Sequence, residues 1–375
     1  MNEKIKKILI IFSIIIGIVA FISILSTFSF KDILESFTNL KFGYIIGFLC
    51  ASIFIQSTLT IRWMIVLKYQ GIRLSFWKAT CYRLAGYGVS YLTPGPRVGG
   101  EPVTAALMKK ERIEFKNALS GIAIDKVIET TCSGIFFVLG GIVVLMTVNL
   151  PKNAKIPLII ALLLFSLTIC YFCYKLFRAE YFFSHLFRIM KLNKVFFLKK
   201  YEQNIKYFED LLVNFYKHKK MFFIFTIILS ILSWIGMYFE YQFLAQILGI
   251  QIGIDKIFLI VSFVGVAMLT PVPMALGTME AGQIGAFAIF GVKQSSAIAL
   301  SLMVRARDLI IVGIGLGVLS YYGLNIGNAL KKAAGYEDIR VDVNGKQIKV
   351  KVKKYIRPDY VEIRPQKNKT EKKNY

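Results

Sequence analysis

Charged side chains stand inside or beside the apolar stretches of this 375-residue chain. The set comprises Glu101, Asp125, Lys126, Glu129, Glu240, Glu280, Arg305, Arg307 and Asp308. A charge at the centre of a bilayer costs about 2.5 to 3.5 kcal/mol on insertion scales, so such residues usually face a bundle interior, pair, or line a substrate path. Because a guanidinium forks onto phosphate oxygens, we expect these arginines to bind the phosphate of a lipid head group. The carboxylates would bind a cationic or hydroxylated substituent, or hold the arginines in place.

The spacing of these charges predicts which of them lie on the same face of a helix. Asp125 and Glu129 are four residues apart and share one face of a helix. Arg305 and Asp308 are three apart and can do the same. Glu280 is expected to pair with one of the two arginines of the last apolar run. An alternative, about equally good for any single residue, is that these are structural ion pairs that lock two halves of the chain together.

Two proline-rich segments contribute the other candidate residues. Residues 92–101 read LTPGPRVGGE and residues 269–280 read LTPVPMALGTME, with Leu-Thr-Pro-x-Pro repeated at an offset of 177 residues. Proline lacks an N–H and biases the preceding residue away from helical angles, so neither segment continues a helix. The predicted tip residues are Thr93, Pro94, Pro96, Thr270, Pro271, Pro273 and Gly277, and the predicted substrate-binding residues are Arg97, Gly99, Gly100, Glu101, Asp125, Glu129, Glu280 and Arg305.

The elements that carry these residues are predicted to be membrane helices. Hydrophobic residues make up 56% of the chain and the mean hydropathy is +0.58, outside the range of soluble domains. A helix needs about 20 apolar residues to cross a hydrocarbon core of about 30 Å. Six stretches qualify, near 8–28, 43–67, 117–148, 156–176, 221–249 and 296–322. The first is interpreted as an uncleaved helix, and Arg62, near the inner end of the second, is expected to snorkel to the head groups.

Both proline-rich segments are predicted to be re-entrant hairpins. Each is flanked by ends assigned to the same face of the membrane, so the chain must dip in and return. The two hairpins enter from opposite faces, the pattern of inverted-repeat transporters, in which broken helices meet near the midplane and form the site. Irregular backbone at that depth survives only when it is buried in protein or faces a wet cavity. The alternative is a pair of tight turns at the membrane surface.

The net charge of +25 is interpreted as a sign of topology rather than of nucleic-acid binding. The loops assigned outside hold few basic residues: Lys31, Lys41, Lys152, Lys155, Lys256 and Lys293. This positive-inside distribution places both termini in the cytoplasm and predicts a multi-pass protein of the cell membrane. The two histidines, His185 and His218, are too few and too far apart for a metal site, and no cofactor is expected.

The predicted fold class is an all-α polytopic membrane protein with about six transmembrane helices and two re-entrant helical hairpins in inverted repeat. Residues 1–325 form the membrane domain, with repeat halves at about 43–176 and 221–322 and a basic cytoplasmic surface segment at 177–220. Residues 326–375 form a basic cytoplasmic tail. Within the tail, DIRVDV-NG-KQIKVKV is typical of a β-hairpin, and a third strand near 360–364 would complete a small sheet.

The candidate residues resemble the flippase-like membrane domain of lysylphosphatidylglycerol synthetases, which also occurs in many stand-alone bacterial and archaeal membrane proteins. The likeness covers about residues 5–325. It is carried by Pro94-Gly95, Arg97, Gly99-Gly100-Glu101-Pro102, Asp125-Lys126 with Glu129, Pro271-x-Pro273, Gly277, Glu280 and Arg305. It implies a domain that moves a lipid between leaflets, or helps to. About 50 residues follow the last span where the two-domain enzymes have a soluble aminoacyl-transferase domain, so the chain should not make lysyl-lipid, and Asp125 stands where the family more often has glutamate.

We therefore expect translocation of a phospholipid or lipid-linked substrate between leaflets, or assistance with it, and no enzymatic activity. No nucleotide-binding loop is visible, so transport would be passive or ion-coupled. The alternatives are a membrane-embedded enzyme acting on a polyprenyl-phosphate or phospholipid, and a non-catalytic partner of an envelope lipid or glycan enzyme. Expected partners are membrane lipid, anionic or lipid-linked, and a second copy of the chain or a separate envelope enzyme.

Overall fold

A computed structural model describes residues 30–37, 40–93, 99–147, 152–190, 202–267, 272–289, 291–322, 336–343 and 346–353, together with Ile22 and Ser26. Several predicted features lie outside these residues. They are most of the first span near 8–28, the residues Pro94, Pro96, Arg97, Thr270 and Pro271, and the third strand near 360–364. The chain forms two compact units, residues 1–333 and 334–375.

The described part of the first unit is helical. In chain order its helices are α1 (Phe30–Glu35), α2 (Ile45–Tyr69), α3 (Phe76–Leu92), α4 (Glu101–Met108), α5 (Phe115–Thr147), α6 (Lys152–Phe177), α7 (Phe183–Ile189), α8 (Glu202–His218), α9 (Lys220–Ile247), α10 (Ile254–Ala267), α11 (Thr278–Ile289) and α12 (Gln294–Tyr321). Short 3-10 turns at Phe42–Tyr44, Lys109–Glu111 and Pro273–Ala275 lie next to them.

Four described segments are long and apolar enough to cross a membrane. They are Phe42–Tyr69, Phe115–Met146, Lys155–Phe177 and Lys220–Ile247, which belong to α2, α5, α6 and α9 and coincide with four of the six predicted spans. Only 6% of the apolar window of α6 is buried in the protein, as expected for a helix whose surroundings are lipid.

The sixth predicted span, 296–322, corresponds to α12 but differs from these four. The helix has 28 residues, which is enough to cross a hydrocarbon core. It is not among the apolar four because Arg305, Arg307 and Asp308 fall within every stretch of membrane length in it. All three lie in the middle of the helix, so α12 brings three charged residues into the bundle within one turn.

The first helix break lies between α3 and α4. Helix α3 ends at Leu92, and α4 begins at Glu101 with a proline in its first turn, where the missing N–H is not needed for a helical hydrogen bond. Gly100 approaches the backbone carbonyl of Gly86 so closely that an added Cβ would overlap its oxygen. Gly99 and Gly100 are both buried, so the described end of this break is sheltered by protein.

The second helix break lies between α10 and α11. Met274 and Ala275 adopt left-handed backbone angles, with φ of 58° and 48°, although both carry a Cβ. Such conformations cost on the order of 1 to 3 kcal/mol each and persist only where the surroundings hold them. Gly277 has φ of 78°, which a glycine adopts without a steric penalty.

Three apolar clusters hold the helices together. One joins helices α9, α10, α11 and α12 around Leu244 and Leu300. A second joins α2, α3, α4 and α5 around Leu67 and Leu107. The third includes Phe215 of α8, which is fully buried against α5, α6 and α9. The segment 177–220, predicted to lie on the membrane surface, therefore packs its α8 helix on the bundle by an apolar face.

The second unit contains two antiparallel strands, β1 (Tyr336–Val343) and β2 (Lys346–Lys353). Their register runs from Tyr336 opposite Lys353 to Val343 opposite Lys346. The predicted turn residues Asn344 and Gly345 lie outside the described residues.

Gly100→Ala should destabilise the protein, because the added methyl group would overlap the Gly86 carbonyl oxygen, which is backbone and cannot rotate away. Overpacking of this kind costs about 1 to 3 kcal/mol, so the midpoint of thermal unfolding in detergent should fall. Gly285→Ala is the matched control, because no atom lies within 4 Å of the Cβ that it adds. Equal midpoints for the two variants would contradict the close packing of α3 and α4.

Candidate functional site

A cavity of 420 Å³ lies between helices α2, α3, α5, α9, α10 and α12 and the first turn of α4, with one residue of α6 in its wall. Nine of the described residues that line it carry a charge, four of them basic and five acidic. Hydroxyl groups and apolar side chains complete the wall. The cavity therefore combines charged residues with a largely apolar wall, among helices of which four, α2, α5, α6 and α9, are apolar enough to cross a bilayer.

The first group of charges in the cavity is centred on Arg62 of α2. Its Nε donates to Oδ1 of Asp125 at 2.7 Å and its Nη2 donates to Oδ2 at 3.1 Å, a two-pronged contact. The same Nη2 lies 3.0 Å from Oε2 of Glu129, and Nη1 donates to Oγ of Ser230 at 3.1 Å. Nη1 of Arg83 also donates to Oδ2 of Asp125 at 3.1 Å. Four helices, α2, α3, α5 and α9, are tied together at this point.

The prediction that Arg62 snorkels to the head groups is wrong. Its side chain is 1% exposed. Taking a guanidinium out of water is costly, and only well-placed opposite charges and hydrogen bonds offset that cost. The two carboxylates one turn apart on α5 supply such partners, so Arg62 stays inside the bundle. The prediction that Asp125 and Glu129 share a helix face is confirmed by their common partner.

The second group is centred on Arg307 of α12. It forms ion pairs with Glu240 of α9 and with Asp308, the latter at 3.1 Å from Nη2 to Oδ1. Ser52 of α2 donates a hydrogen bond to Glu240, and Tyr87 of α3 donates one to Asp308 at 3.1 Å. This group ties α12 to α2, α3 and α9.

The charges on α12 have different partners. Asp308 pairs with the adjacent Arg307. Arg305 instead binds Glu280 of α11, with Nε to Oε1 at 2.5 Å and Nη2 to Oε2 at 2.8 Å. The predicted pairing of Glu280 with one of the two arginines of this helix is confirmed.

Arg305 and Glu280 hold the second helix break in shape. Nη1 of Arg305 donates to the carbonyl oxygen of Met274 at 3.2 Å and Nη2 to that of Ala275 at 3.4 Å. The backbone N–H of Gly277 donates to Oε2 of Glu280 at 2.9 Å. The pair thus fixes the left-handed residues of the break, and neither member lines the cavity. Their predicted contact with substrate stays a prediction, and the geometry supports the structural alternative.

The first helix break presents its glutamate to the cavity. Oε2 of Glu101 accepts the N–H of Gly99 at 2.8 Å, and the N–H of Gly100 donates to Oγ of Ser90 at 2.8 Å. Thr93 turns its hydroxyl back onto the carbonyl oxygen of Ser90 at 3.1 Å. Glu101 forms no ion pair with any described residue, whereas its counterpart after the second break is bound by an arginine.

The predicted substrate-binding residues are divided between these places. Gly100, Glu101, Asp125 and Glu129 line the cavity, while Gly99, Glu280 and Arg305 do not. Sequence reasoning missed Arg83 and Ser230 as members of the site. Arg83 could have been found from the sequence, because it is a charged residue in the apolar stretch before the first break. Ser230 could not, because serine is common in membrane helices.

Four buried polar atoms of residues that line the cavity have no partner among the described residues. They are Nε1 of Trp63, Nε of Arg83, Nε of Arg307 and Oδ2 of Asp308. Buried polar groups in proteins are nearly always hydrogen-bonded, so each such atom requires an explanation. Three donors and one acceptor in the cavity wall therefore keep unused hydrogen-bonding capacity.

Comparison with known proteins shows which family this chain belongs to. The family described as the lysylphosphatidylglycerol synthase TM region matches residues 8–315. The chain belongs to this family. A UPF0104 membrane protein of Methanocaldococcus jannaschii is 25% identical over 321 residues, which are 81% of this chain and 91% of that protein. A UPF0104 membrane protein of Pyrococcus horikoshii is 23% identical over 274 residues, 68% of this chain and 79% of that protein. The family and the apolar helices together make the chain a multi-pass membrane protein.

Arg62→Gln should destabilise the protein strongly, because it leaves Asp125 buried with less compensating charge. Breaking a buried ion pair costs about 3 to 5 kcal/mol. Lys78→Gln is the control. The Lys78 side chain is 48% exposed and pairs with Glu111 at the surface. Surface ion pairs contribute only about 0 to 1 kcal/mol to stability. Thermal unfolding in detergent measures both, and a loss no larger for Arg62→Gln than for Lys78→Gln would contradict the buried pairing.

Proposed function

We propose that this membrane protein translocates a phospholipid or a lipid-linked substrate between the two leaflets, or assists that movement. The observation that carries the proposal is a cavity with nine charged lining residues among helices apolar enough to cross a bilayer. A head group that moves between leaflets must leave water, and fixed charges and hydroxyl groups replace part of the hydration that it loses. A purely structural bundle has no need of such a space.

Arg83 and Arg307 would bind the phosphate of the substrate. Each keeps an Nε donor without a partner among the described residues, and each lines the cavity. A guanidinium matches phosphate oxygens in geometry and charge. Oδ2 of Asp308, which has no partner in the same part of the chain, would accept a hydrogen bond from a hydroxyl or ammonium group of the substrate.

The first helix break would border the path through the middle of the bilayer, and the second would brace the bundle beside it. We take both as tips of re-entrant hairpins that enter from opposite faces, with both termini in the cytoplasm and the protein in the cell membrane. The support is a repeated Leu-Thr-Pro-x-Pro element, followed in each case by a glutamate whose carboxylate accepts a glycine N–H. Paired broken helices of this kind are typical of inverted-repeat transporters.

Arg83→Gln should slow translocation by about tenfold, the effect of one lost charge-assisted hydrogen bond to the phosphate. Full-length protein in vesicles with fluorescently labelled phosphatidylglycerol is the assay, and chemical quenching of the outer leaflet reports the rate. Arg188→Gln is the control, because Arg188 is 55% exposed, pairs with Glu202 and does not line the cavity.

Three results would count against parts of the proposal. Vesicles with wild-type protein that translocate no faster than protein-free vesicles would contradict it. Wild-type rates for Arg83→Gln would remove Arg83 from the path. Release of phosphate or a new lipid product from the vesicles would favour the alternative of a membrane-embedded enzyme.

A further inference from the structure

The two groups of charges in the cavity contact the helix pair α2 and α9 at two different levels. In the first group Arg62 of α2 donates to Ser230 of α9 at 3.1 Å. In the second group Ser52 of α2 donates to Glu240 of α9. Both contacts join the same two helices, and they are ten residues apart on each helix. Because an α-helix rises about 1.5 Å per residue, the two levels are about 15 Å apart along these helices.

Helix α3 also contacts both groups. Arg83 donates to Asp125 of the first group, and Tyr87, one turn later, donates to Asp308 of the second. Four residues of a helix correspond to about 6 Å, so α3 passes both groups over a shorter distance. Residues of both groups line the same cavity. A ligand that reaches both groups must therefore extend over about 6 to 15 Å, so it needs more than a phosphate alone.

The first group keeps only hydrogen-bond donors for a ligand. Nε of Arg83 and Nε1 of Trp63, the residue after Arg62, are buried and have no partner among the described residues. The described residues that line the cavity have no buried acceptor without a partner at this level. Donors beside a guanidinium charge suit a phosphate, because its oxygens only accept when it is ionised.

The second group keeps a donor and an acceptor side by side. Nε of Arg307 and Oδ2 of Asp308 are buried and have no partner in the part of the chain that the structure describes. The two side chains touch, with Nη2 of Arg307 at 3.1 Å from Oδ1 of Asp308. Nε and Oδ2 are each two bonds away from one of these touching atoms, so they lie close together. Asp308 is 1% exposed, and both residues line the cavity.

A hydroxyl group fits this donor and acceptor better than any charged group does. It can donate to Oδ2 of Asp308 and accept from Nε of Arg307 at the same time. An ammonium group has no acceptor, so it would leave Nε of Arg307 without a partner, and the guanidinium would repel it. A second phosphate would be repelled by the carboxylates of Asp308 and Glu240.

We propose that the substrate is a lipid whose head group carries hydroxyl groups beyond its phosphate, as a polyol or glycosyl head group does. The phosphate lies at the first group, against Arg83, and a hydroxyl lies at the second group, between Arg307 and Asp308. Gln56 lines the cavity between the two levels, and its amide can bond to further hydroxyls. This inference rests on the proposed function and names the class of its substrate.

The test measures lipid binding to the purified full-length protein in detergent, by the shift of its thermal unfolding midpoint as lipid is added. Phosphatidylinositol supplies the hydroxyl groups. Phosphatidylethanol is the matched lipid, because its phosphodiester has the same charge and its head group has no hydroxyl. Phosphatidylinositol should bind about tenfold more tightly, the effect of hydrogen bonds to a charged carboxylate and guanidinium.

Asp308→Asn should abolish this preference, so that the two lipids bind with equal affinity. Tyr87 and Arg307 both donate to Oδ1, so the amide oxygen takes that position and the amide NH₂ replaces the acceptor Oδ2. Arg83→Gln should instead weaken the binding of both lipids by the same factor of about ten, because it removes a donor to the phosphate that they share. A preference that survives in Asp308→Asn overturns the assignment of the hydroxyl to Asp308.

The remaining outcomes all judge the proposal. Equal affinities of the wild-type protein for the two lipids, or no shift with either, overturn it. Tighter binding of phosphatidylethanolamine than of phosphatidylinositol overturns it in favour of an ammonium group, and an equal shift with soluble inositol phosphate overturns the lipid as the source of the head group. A wild-type protein that binds in the expected order but does not translocate lipid in vesicles would contradict the proposed function alone.

Discussion

The structure depends on the rule that a charge buried away from water must be compensated by partners of opposite charge and by hydrogen bonds. Arg62 shows the consequence most directly, because its guanidinium is enclosed and yet engages Asp125, Glu129 and Ser230 at 2.7 to 3.1 Å. These contacts fix the relative positions of α2, α5 and α9 more specifically than apolar packing could, since apolar surfaces slide against one another in lipid at little cost. The same rule, applied to Arg307 and Glu240, positions α12 against α9.

The two helix breaks obey a related rule for the backbone. Irregular segments at membrane depth need internal partners for their N–H and C=O groups. At the second break the partners come from Arg305 and Glu280, which bind two carbonyl oxygens and one N–H there. At the first break Glu101 and Ser90 take the N–H groups of Gly99 and Gly100, and no arginine of the described residues joins them. In both breaks a glutamate accepts a backbone N–H, but only the second break is also bound by an arginine among the described residues. The first break, which has fewer charged partners, is the one that lines the cavity.

The sequence was sufficient to predict much of this arrangement. Apolar length predicted the four long helices, and the prolines predicted that one helix ends near Tyr91 and the next begins near Glu101. Helical spacing predicted the common face of Asp125 and Glu129. Spacing could not predict which charges meet across helices, because that depends on the rotation and crossing of the helices. Arg62 was therefore assigned to the membrane surface, and the pairing of Arg307 with Glu240 was not predicted.

The central claim is that the cavity admits water and a hydrophilic group to its charged residues, inside a bundle surrounded by lipid. Ser133 lines the cavity, whereas Ile135, two residues along the same helix, does not and is 42% exposed on the outside. The most direct measurement is labelling of a single cysteine at each position, in protein without other cysteines in vesicles, by a charged thiol reagent. The account predicts that Ser133→Cys reacts and Ile135→Cys does not, because a thiolate forms in a wet cavity but not in lipid. An unreactive cysteine at 133 in folded protein would contradict it.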